Sequence, residues 1–461
     1  MKSLFRNIVA SLTIILCVAI SSVRAELPPW TRFKLSNGLE VLVVENHLTP
    51  IVTIEIAVRN GSFTEPPDYN GLSHLYEHMF FTSNAKDTTT DAFLSRVDDL
   101  GIVFNGRTRE ELVYYYFTLP QQNLVEGMDF MSRAISSPLF KEDDLRKQRE
   151  IVLGEFDRDE AQPLFKFNCK MDAALWGAWL SRKEPLGDRA IIRTATHEKM
   201  LAIKNKYYLP NNSLLIVSGD VDTRMIKELA PRCFQDWKAG PDPFKTTPPV
   251  RVPQLTRSSL VLDTLDIPQV VCNVKWHGPS IGLDDKSTYV ADVFSYIVTQ
   301  PDHEFSKCLR ESGIAQEAGL GYYTQRYVGP ITAQIVTSPD RLDSAMHLFW
   351  SQVAKFDDPN YFSDEEFETA KGAVRNYVLF ESEKLSNFTH EIAFWWSTAG
   401  LDYYEHYLDD LSKITKADVA EYIHKYIQGK PYVLGLALSK SAAIVTEPSL
   451  AKYGNPNMPW R

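Results

Sequence analysis

Cysteine is scarce in this chain of 461 residues, which contains only 5 of them. Cys17 lies near the start, and the other four, Cys169, Cys233, Cys272 and Cys308, are scattered without any C-x-x-C spacing. This distribution excludes a cysteine-ligated metal cluster. The four later cysteines are expected to be buried free thiols or, in an oxidising compartment, disulfide-bonded.

Basic residues and long hydrophobic runs are also in short supply. There are 49 lysines and arginines against 59 acidic residues, and the formal net charge is −10. An acidic protein of this kind is a poor candidate for binding nucleic acid, so no nucleic-acid partner is predicted. The apolar run from Ile8 to Ile20 has about 13 residues, which is short for a membrane span.

Residues 1–25 have instead the pattern of a cleavable secretory signal peptide. Lys2 and Arg6 precede the apolar run, and Val23-Arg24-Ala25 provides small residues for a cut after Ala25. Cleavage would remove three basic residues and no acids, leaving a net charge of −13. The mature protein is therefore predicted to be periplasmic or secreted, with an uncleaved anchor as the alternative.

The string His-Leu-Tyr-Glu-His at residues 74–78 is an H-x-x-E-H motif. Successive helical side chains turn by about 100°, so His74, Glu77 and His78 share one face of a helix. Two imidazoles at i and i+4 supply two of the three protein ligands that a catalytic zinc usually takes. Glu77 lies beside this pair, where a carboxylate can act as a general base. The alternative is a surface helix that carries two histidines by coincidence.

A third ligand must come from elsewhere, and the segment 141–160 is the best donor because its charge pattern predicts a long helix. Leu145, Gln148, Val152 and Glu155 form one stripe on this helix. Glu155 is the only carboxylate on the stripe, so it is the predicted third ligand. The alternative is that Glu155 is solvated like the acids that follow it.

Four segments resemble the inverted-motif zinc peptidases of the pitrilysin, insulysin and mitochondrial processing peptidase family. They are GLSHLYEHMFF (71–81), FNGRTREELVYYYFTLP (104–120), QREIVLGEFDRDEAQP (148–163) and YYLPNNSLLIVSGDVD (207–222). The resemblance extends over nearly the whole mature chain. It implies one Zn²⁺ per chain held by His74, His78 and Glu155, with Glu77 activating water. The implied activity is that of a zinc metalloendopeptidase acting on extended or unfolded peptides.

Two positions depart from the family pattern, and the first is Gln148. Many relatives have a second glutamate seven residues before the distal ligand, where it supports the metal site. An amide still forms hydrogen bonds but carries no negative charge. Gln148 is therefore expected to interact with the ligands while leaving the zinc more electrophilic or less tightly held, and activity is expected to survive.

The second departure lies in CLRESGIAQEAGLGYY (308–323), which resembles a segment where an arginine and a tyrosine seven residues later contact the substrate carbonyl. Arg310 matches the arginine and is a predicted substrate-binding residue; an ordinary surface salt bridge is the alternative. The tyrosine is replaced by Glu317, or by Gln316 if one residue has been deleted. Tyr322 and Tyr323 are substitutes only if the loop is rearranged.

The segment around Phe104, Asn105 and Gly106 is predicted to bind substrate. The resemblance implies that a peptide adds itself as a strand along this sheet edge, with backbone hydrogen bonds providing affinity. The aromatic run Tyr114–Phe117 is expected either to belong to the same edge or to fill the core. The core is favoured for Tyr115 and Phe117.

Chain length and a proline-rich stretch predict two domains. The predicted zinc-bearing domain covers residues 26–240, an extended linker 241–255 and a second, non-zinc domain 256–461. Thr196 stands ten residues before Lys206-Tyr207, and Thr415 ten residues before Lys425-Tyr426. This repeat suggests two copies of one α+β fold. The resemblance implies two tandem homologous domains, each a mixed sheet packed with helices, that form half of a clamshell chamber.

Two short segments have β patterns. Residues 33–44 around an Asn-Gly turn predict a hairpin, and residues 51–58 predict a strand.

A chain that forms half of a chamber and lacks the tyrosine is expected to dimerise. A heterodimer with a partner that carries the Arg/Tyr pair is favoured over a homodimer. A second hypothesis is a non-catalytic, zinc-retaining peptide-binding or scaffold subunit. A third is an unrelated α+β protein with a chance motif, which would hold no zinc.

Overall fold

The computed structural model describes residues 27–247, 252–440 and 449–456. The predicted signal peptide, residues 1–25, lies outside this part of the chain. None of the helices in the described part combines the length and the hydropathy of a membrane-spanning segment. The four cysteines Cys169, Cys233, Cys272 and Cys308 all have free thiols.

Eleven strands in the described residues form two mixed sheets. The first has the order β1-β2-β6-β3-β5-β4 and the second β7-β11-β8-β10-β9. Strands β2 and β6 are parallel, as are β7 and β11, and the other neighbours are antiparallel. The strands are β1 Thr31–Lys34, β2 Glu40–Glu45, β3 Ile51–Val58, β4 Val103–Thr108, β5 Val113–Pro120, β6 Ser213–Gly219, β7 Ser259–Leu265, β8 Val270–His277, β9 Ala315–Tyr322, β10 Pro330–Thr337 and β11 Val433–Ser439.

Helices cover the sheets and connect their strands. They are α1 Leu72–Phe80, α2 Thr90–Leu100, α3 Leu124–Ser136, α4 Glu142–Glu160, α5 Phe165–Trp176, α6 Arg189–Arg193, α7 His197–Tyr207, α8 Thr223–Phe234, α9 Pro243–Thr246, α10 Asp285–Thr299, α11 Glu304–Ser306, α12 Leu342–Val353, α13 Asp364–Glu383, α14 Leu385–Thr398, α15 Leu401–Ser412, α16 Lys416–Tyr426 and α17 Leu450–Tyr453. A single π-helical turn, Lys307–Glu311, follows α11.

The two halves of the chain have the same α+β architecture, as predicted. Strands β2-β6-β3-β5-β4 of the first sheet correspond in order and direction to β7-β11-β8-β10-β9 of the second. The repeated threonines have the same role, because Thr196 caps α7 and Thr415 caps α16 through side-chain hydrogen bonds. The hairpin of β1 and β2 and the strand β3 also lie where the sequence pattern predicts them.

One helix from each half packs on the sheet of the other half. Helix α5, from the first half, packs on the second sheet, where Phe167 and Met171 meet Val271 and Val433. Helix α14, from the second half, packs on the first sheet, and its Thr389 hydroxyl lies 2.8 Å from that of Ser218. Two of the hydrophobic clusters therefore contain residues of both halves, whereas the buried residues of the cluster around α1 all come from the first half.

The halves also meet at a loop, residues 323–329, between β9 and β10. Both carboxylate oxygens of Glu111 accept backbone N–H groups of this loop, at 2.9 Å from Arg326 and 3.1 Å from Tyr327. The ammonium group of Lys183 donates to the Val328 carbonyl at 2.9 Å and to the Gln325 side chain. This loop of the second half is thus held by the first half.

The prediction of a wholly extended linker over 241–255 is wrong for Pro243–Thr246, which form one helical turn. The Asp242 carboxylate accepts from the N–H groups of Phe244 and Lys245, and Pro243 provides the φ angle of a first helical residue. Residues 248–251 lie outside the described part of the chain.

Candidate metal centre

Helix α1 carries the H-x-x-E-H motif, and its opposite face is buried. Leu75, Tyr76 and Met79 are at most 1% exposed. The ring of Tyr76 stacks on that of Tyr208 with centroids 3.9 Å apart. The Tyr208 hydroxyl is in turn 2.7 Å from that of Tyr115 on β5. The packing of Tyr76 against Tyr208 and the first sheet therefore prevents α1 from rotating about its axis and fixes the direction in which the motif side chains point.

The start of α1 is held by groups outside the helix. Gly71 precedes α1 with a positive φ of 91°, and no side chain of its own caps the helix. The carboxylate of Glu65 instead accepts the N–H groups of Gly71 at 2.7 Å and Ser73 at 2.6 Å. The backbone of Gly187 passes so close that a Cβ on Gly71 would lie 2.8 Å from the Gly187 Cα.

Helix α4 brings Glu155 to the motif. Leu145 and Val152 are fully buried on the predicted stripe, while Gln148 and Glu155 are partly buried. Arg189 on α6 donates to Asp157 at 2.6 Å and to Glu160 at 3.2 Å near the end of α4. Because α6 follows Gly187, this segment holds α4 against the start of α1.

The three predicted ligands converge. The Nε2 atoms of His74 and His78 are 3.3 Å apart, and the Glu155 Oε2 atom lies 3.4 Å from the first and 3.6 Å from the second. Ligands about 2.1 Å from a tetrahedral zinc are about 3.4 Å from one another. The donor triangle and its N,N,O composition therefore fit zinc, and these residues form the only such cluster found in the described residues.

The pKa values of the two imidazoles are shifted in opposite directions. Burial, aided by the charge of His78, lowers the pKa of His74 to about 4. Burial also opposes the charge on His78, but the hydrogen bond to the Glu155 carboxylate and its negative charge outweigh burial and raise the pKa of His78. The same hydrogen bond lowers the pKa of Glu155. His74 is thus neutral near neutral pH, as a metal ligand must be, whereas the raised pKa of His78 makes a proton compete with the metal for this imidazole.

Glu77 lies between the ligand residues and β4. It is 9% exposed, and the Thr108 hydroxyl donates to its Oε2 atom at 2.6 Å. Burial raises the pKa of Glu77, and the Thr108 hydrogen bond opposes that effect. The other side of the carboxylate faces Gly106, where an added Cβ would lie 2.9 Å from the Glu77 Cγ.

The two imidazoles are supported unequally. The Gln148 side chain lies close enough to His78 to help raise its pKa. The Nδ1 atom of His74 is buried and has no hydrogen-bond partner among the described residues.

Strand β4 is the outer strand of the first sheet, next to α1. Asn105 is exposed, Phe104 and Gly106 are partly buried, and the Phe104 ring packs 4.9 Å from that of Phe81. The aromatic run Tyr114–Phe117 lies on β5, one strand further into the sheet. The sheet edge beside the motif is therefore formed by β4 and not by the aromatic run. Tyr115 and Phe117 are fully buried in the core, as favoured.

Arg310 is not brought to the metal ligands by any contact in the described residues. It is exposed on the π-helical turn, and no ion pair is found for it in that part of the structure. Glu317 is exposed on the outer strand β9. The Tyr322 hydroxyl donates to the Pro279 carbonyl at 3.1 Å and that of Tyr323 to Glu110 at 3.2 Å, so both are engaged elsewhere.

Sequence reasoning missed Glu65 and Thr108. An acid before a helix that begins with glycine is a signal for a remote cap, because the first N–H groups of a helix need acceptors. No comparable signal identifies Thr108, whose role depends on the pairing of β4 beside α1.

Comparisons with known proteins relate the chain to described families. The family model described as insulinase (peptidase family M16) matches residues 40–174, and the model described as peptidase M16 inactive domain matches residues 194–374. A Rickettsia felis protein described as an uncharacterized zinc protease is 24% identical over 362 residues, covering 78% of this chain and 85% of that protein. The probable zinc protease PqqL of Haemophilus influenzae is 29% identical over 204 residues, which are 42% of this chain and 22% of that longer protein.

A solved structure has the same fold. The crystal structure of a protease from Helicobacter pylori matches with a TM-score of 0.79 and 17% identity, covering 89% of this chain and 100% of that chain.

Proposed function

The chain belongs to peptidase family M16, and on that premise we propose that it is a zinc metalloendopeptidase that hydrolyses extended or unfolded peptides. The observation that carries the proposal is the convergence of His74, His78 and Glu155 into one triangle of metal-ligand atoms with Glu77 beside it. These three residues would hold one Zn²⁺ per chain. The relatives that are named zinc proteases support the same role.

Zinc, when bound, supplies a Lewis acid that polarises the scissile carbonyl and favours ionisation of water. Glu77 is the general base. Thr108 holds its Oε2 atom, and the Glu77 carboxylate would take the proton of the attacking water and return it to the leaving amine. Burial keeps bulk water from competing for this carboxylate.

The outer strand β4 is the proposed substrate platform. Its free edge offers backbone hydrogen bonds to an extended peptide, which explains a preference for unfolded chains with little sequence selectivity. Gly106 lies beside Glu77 and has no side chain, so the peptide backbone can approach the base. Phe104 and Asn105 would contact the peptide on the two sides of the strand.

A partner subunit is part of the proposal. Arg310 is exposed, Glu317 replaces the family tyrosine, and the hydroxyls of Tyr322 and Tyr323 are engaged within the chain. We infer a dimer in which the partner supplies the oxyanion donor, with a heterodimer favoured over a homodimer. The residues before Glu26 favour export to the periplasm or beyond.

A second candidate is a non-catalytic scaffold subunit that keeps zinc and binds peptides. The missing tyrosine favours this candidate, since loss of an oxyanion donor lowers rates by about 10² to 10³.

The test compares the purified mature chain with Glu77→Gln in the cleavage of an unfolded, fluorescence-quenched peptide, together with zinc content after dialysis. We expect one zinc per chain in both proteins, and a loss of about 10² to 10⁴ in rate for Glu77→Gln. Equal cleavage by both would contradict the role of Glu77. Zinc without cleavage, alone or with the partner, would identify the scaffold, and absence of zinc would overturn the metal site.

A further inference from the structure

His74 lies in the first turn of α1, as the third residue of a helix of nine. The first N–H groups of a helix have no acceptor within it, and short helices fray at their ends. A frayed first turn would move His74 away from His78, which lies one turn further into the helix. The position of His74 therefore depends on whatever holds the start of α1.

The His74 ring has no support of its own. Metal-binding imidazoles usually donate their second ring N–H to a carboxylate, carbonyl or water, which fixes the ring. The Gln148 side chain lies close enough to His78 to help raise its pKa, whereas the Nδ1 atom of His74 is buried without a partner among the described residues. Apart from its contacts with His78 and Glu155, the position of the His74 ring depends on its backbone.

Glu65 holds that backbone. Its two carboxylate oxygens accept the N–H groups of Gly71 at 2.7 Å and Ser73 at 2.6 Å. Its own carbonyl accepts from the Ser181 hydroxyl at 3.0 Å, and Glu65 is only 3% exposed. Burial raises the pKa of Glu65 to about 7, and the hydrogen bonds from Gly71 and Ser73 oppose this effect by stabilising the carboxylate.

We propose that Glu65 is a positioning residue for the metal centre, holding the first turn of α1 so that the His74 imidazole meets His78 and Glu155. This inference rests on the proposed zinc site but concerns a residue that touches neither metal nor substrate. Its consequence is that removing one acceptor oxygen from Glu65 weakens zinc binding more than it weakens the fold.

Glu111 provides the matched control. It is also a buried glutamate, 5% exposed, whose two oxygens accept two backbone N–H groups. Those groups belong to the loop 323–329 at the junction of the two halves, away from α1. A glutamine at either position would turn an amide NH₂ toward a backbone N–H, so both variants suffer the same chemical change.

The experiment measures the zinc dissociation constant of the mature wild-type chain, Glu65→Gln and Glu111→Gln by competition with a chromogenic chelator, with thermal unfolding of each metal-free protein. We expect Glu65→Gln to bind zinc about tenfold or more weakly, and Glu111→Gln to match the wild type despite a comparable loss of thermal stability. Equal weakening in both variants, or none in Glu65→Gln, would overturn the inference.

Glu65→Asp covers the case in which Glu65→Gln does not fold. It keeps the charge but is one methylene shorter, so it cannot reach both N–H groups, and we expect intermediate zinc affinity. Wild-type affinity in a folded Glu65→Asp would overturn the inference. Failure of the wild-type chain to bind zinc would instead overturn the proposed function, so the two outcomes are distinguishable.

Discussion

At the scale of single residues, the proposed base Glu77 is positioned by the hydroxyl group of one neighbour, Thr108, and by the missing side chain of another, Gly106. Thr108 donates a hydrogen bond to one oxygen of Glu77, and Gly106 leaves room for the rest of its side chain. Both neighbours lie on β4, the same strand that is proposed to bind substrate. Displacement of β4 would therefore disturb the base and the substrate together.

Gly106→Ala is expected to slow peptide cleavage by about tenfold or more, since a small misplacement of a catalytic group has a large effect on rate. The added Cβ would lie 2.9 Å from the Cγ and 3.0 Å from the Oε1 of Glu77. Zinc content should not change, because the atoms nearest to the added Cβ belong to Glu77 and not to a metal ligand. Steady-state kinetics and metal analysis check both expectations.

Gly321→Ala is the control, because Gly321 lies on the corresponding outer strand β9 and an added Cβ there meets nothing within 4 Å. A similar rate loss in both variants would contradict the steric explanation.

Asp292 on α10 is a partly buried acid outside the metal centre. Burial raises its pKa from 3.8 to about 7, while the Tyr407 hydroxyl donates to it at 2.6 Å. The folded state thus holds a proton on Asp292 between about pH 4 and pH 7 that the unfolded state releases, and stability falls as pH rises through this window.

Asp292→Asn is expected to remove this fall. The free energy of unfolding of the variant relative to the wild type should rise by on the order of 2 kcal/mol between pH 4.5 and pH 8. Denaturant unfolding at a series of pH values measures the difference. A constant difference across this range would show that Asp292 has the same pKa in both states.

At the scale of helices and strands, much of the site follows from periodicity. The stripe on α4 identifies Glu155 because Leu145 and Val152 must be buried, and the structure brings Glu155 to the histidines. The cap by Glu65 was not predicted because it depends on a loop that returns to the helix. The sheet partner of α5 was not predicted either, because Phe167 and Met171 show which face is buried but not against which sheet.

The contact between α5 and β11 gives a prediction at this scale. A Cβ on Gly435 would lie 2.2 Å from the Met171 Sδ and 2.7 Å from the Phe167 Cζ. Gly435→Ala should therefore lower the stability by about 1 to 3 kcal/mol. Met171→Ala opens space at the same contact. The double variant should therefore lose about 1 kcal/mol or more less stability than the sum of the losses in the two single variants.

Denaturant unfolding of the single and double variants tests the contact. Gly372→Ala on α13 is the control, since an added Cβ there meets nothing within 4 Å and alanine favours a helix. Strict additivity of the two changes would mean that α5 does not pack on β11 as described.

At the scale of the whole molecule, each half covers apolar surface of the other half. Helix α5 covers the second sheet and α14 covers the first, and the loop 323–329 is held by Glu111 and Lys183. Large apolar surfaces of both sheets would be exposed if either half were alone.

Residues 26–247 and 252–461 produced as separate chains are therefore expected to be insoluble or unfolded alone, and to form a stable 1:1 complex when co-expressed. Affinity capture through a tag on one chain, with circular dichroism of the product, measures this. A soluble first half with native-like circular dichroism and cooperative unfolding would contradict the expectation.

The exchange of helices also bears on substitutions in the second domain. The second domain has no H-x-x-E-H string, yet deleting it would remove α14, which covers the first sheet. A substitution far from the motif, on the inner face of α14, would therefore act on the first domain as strongly as a substitution within that domain.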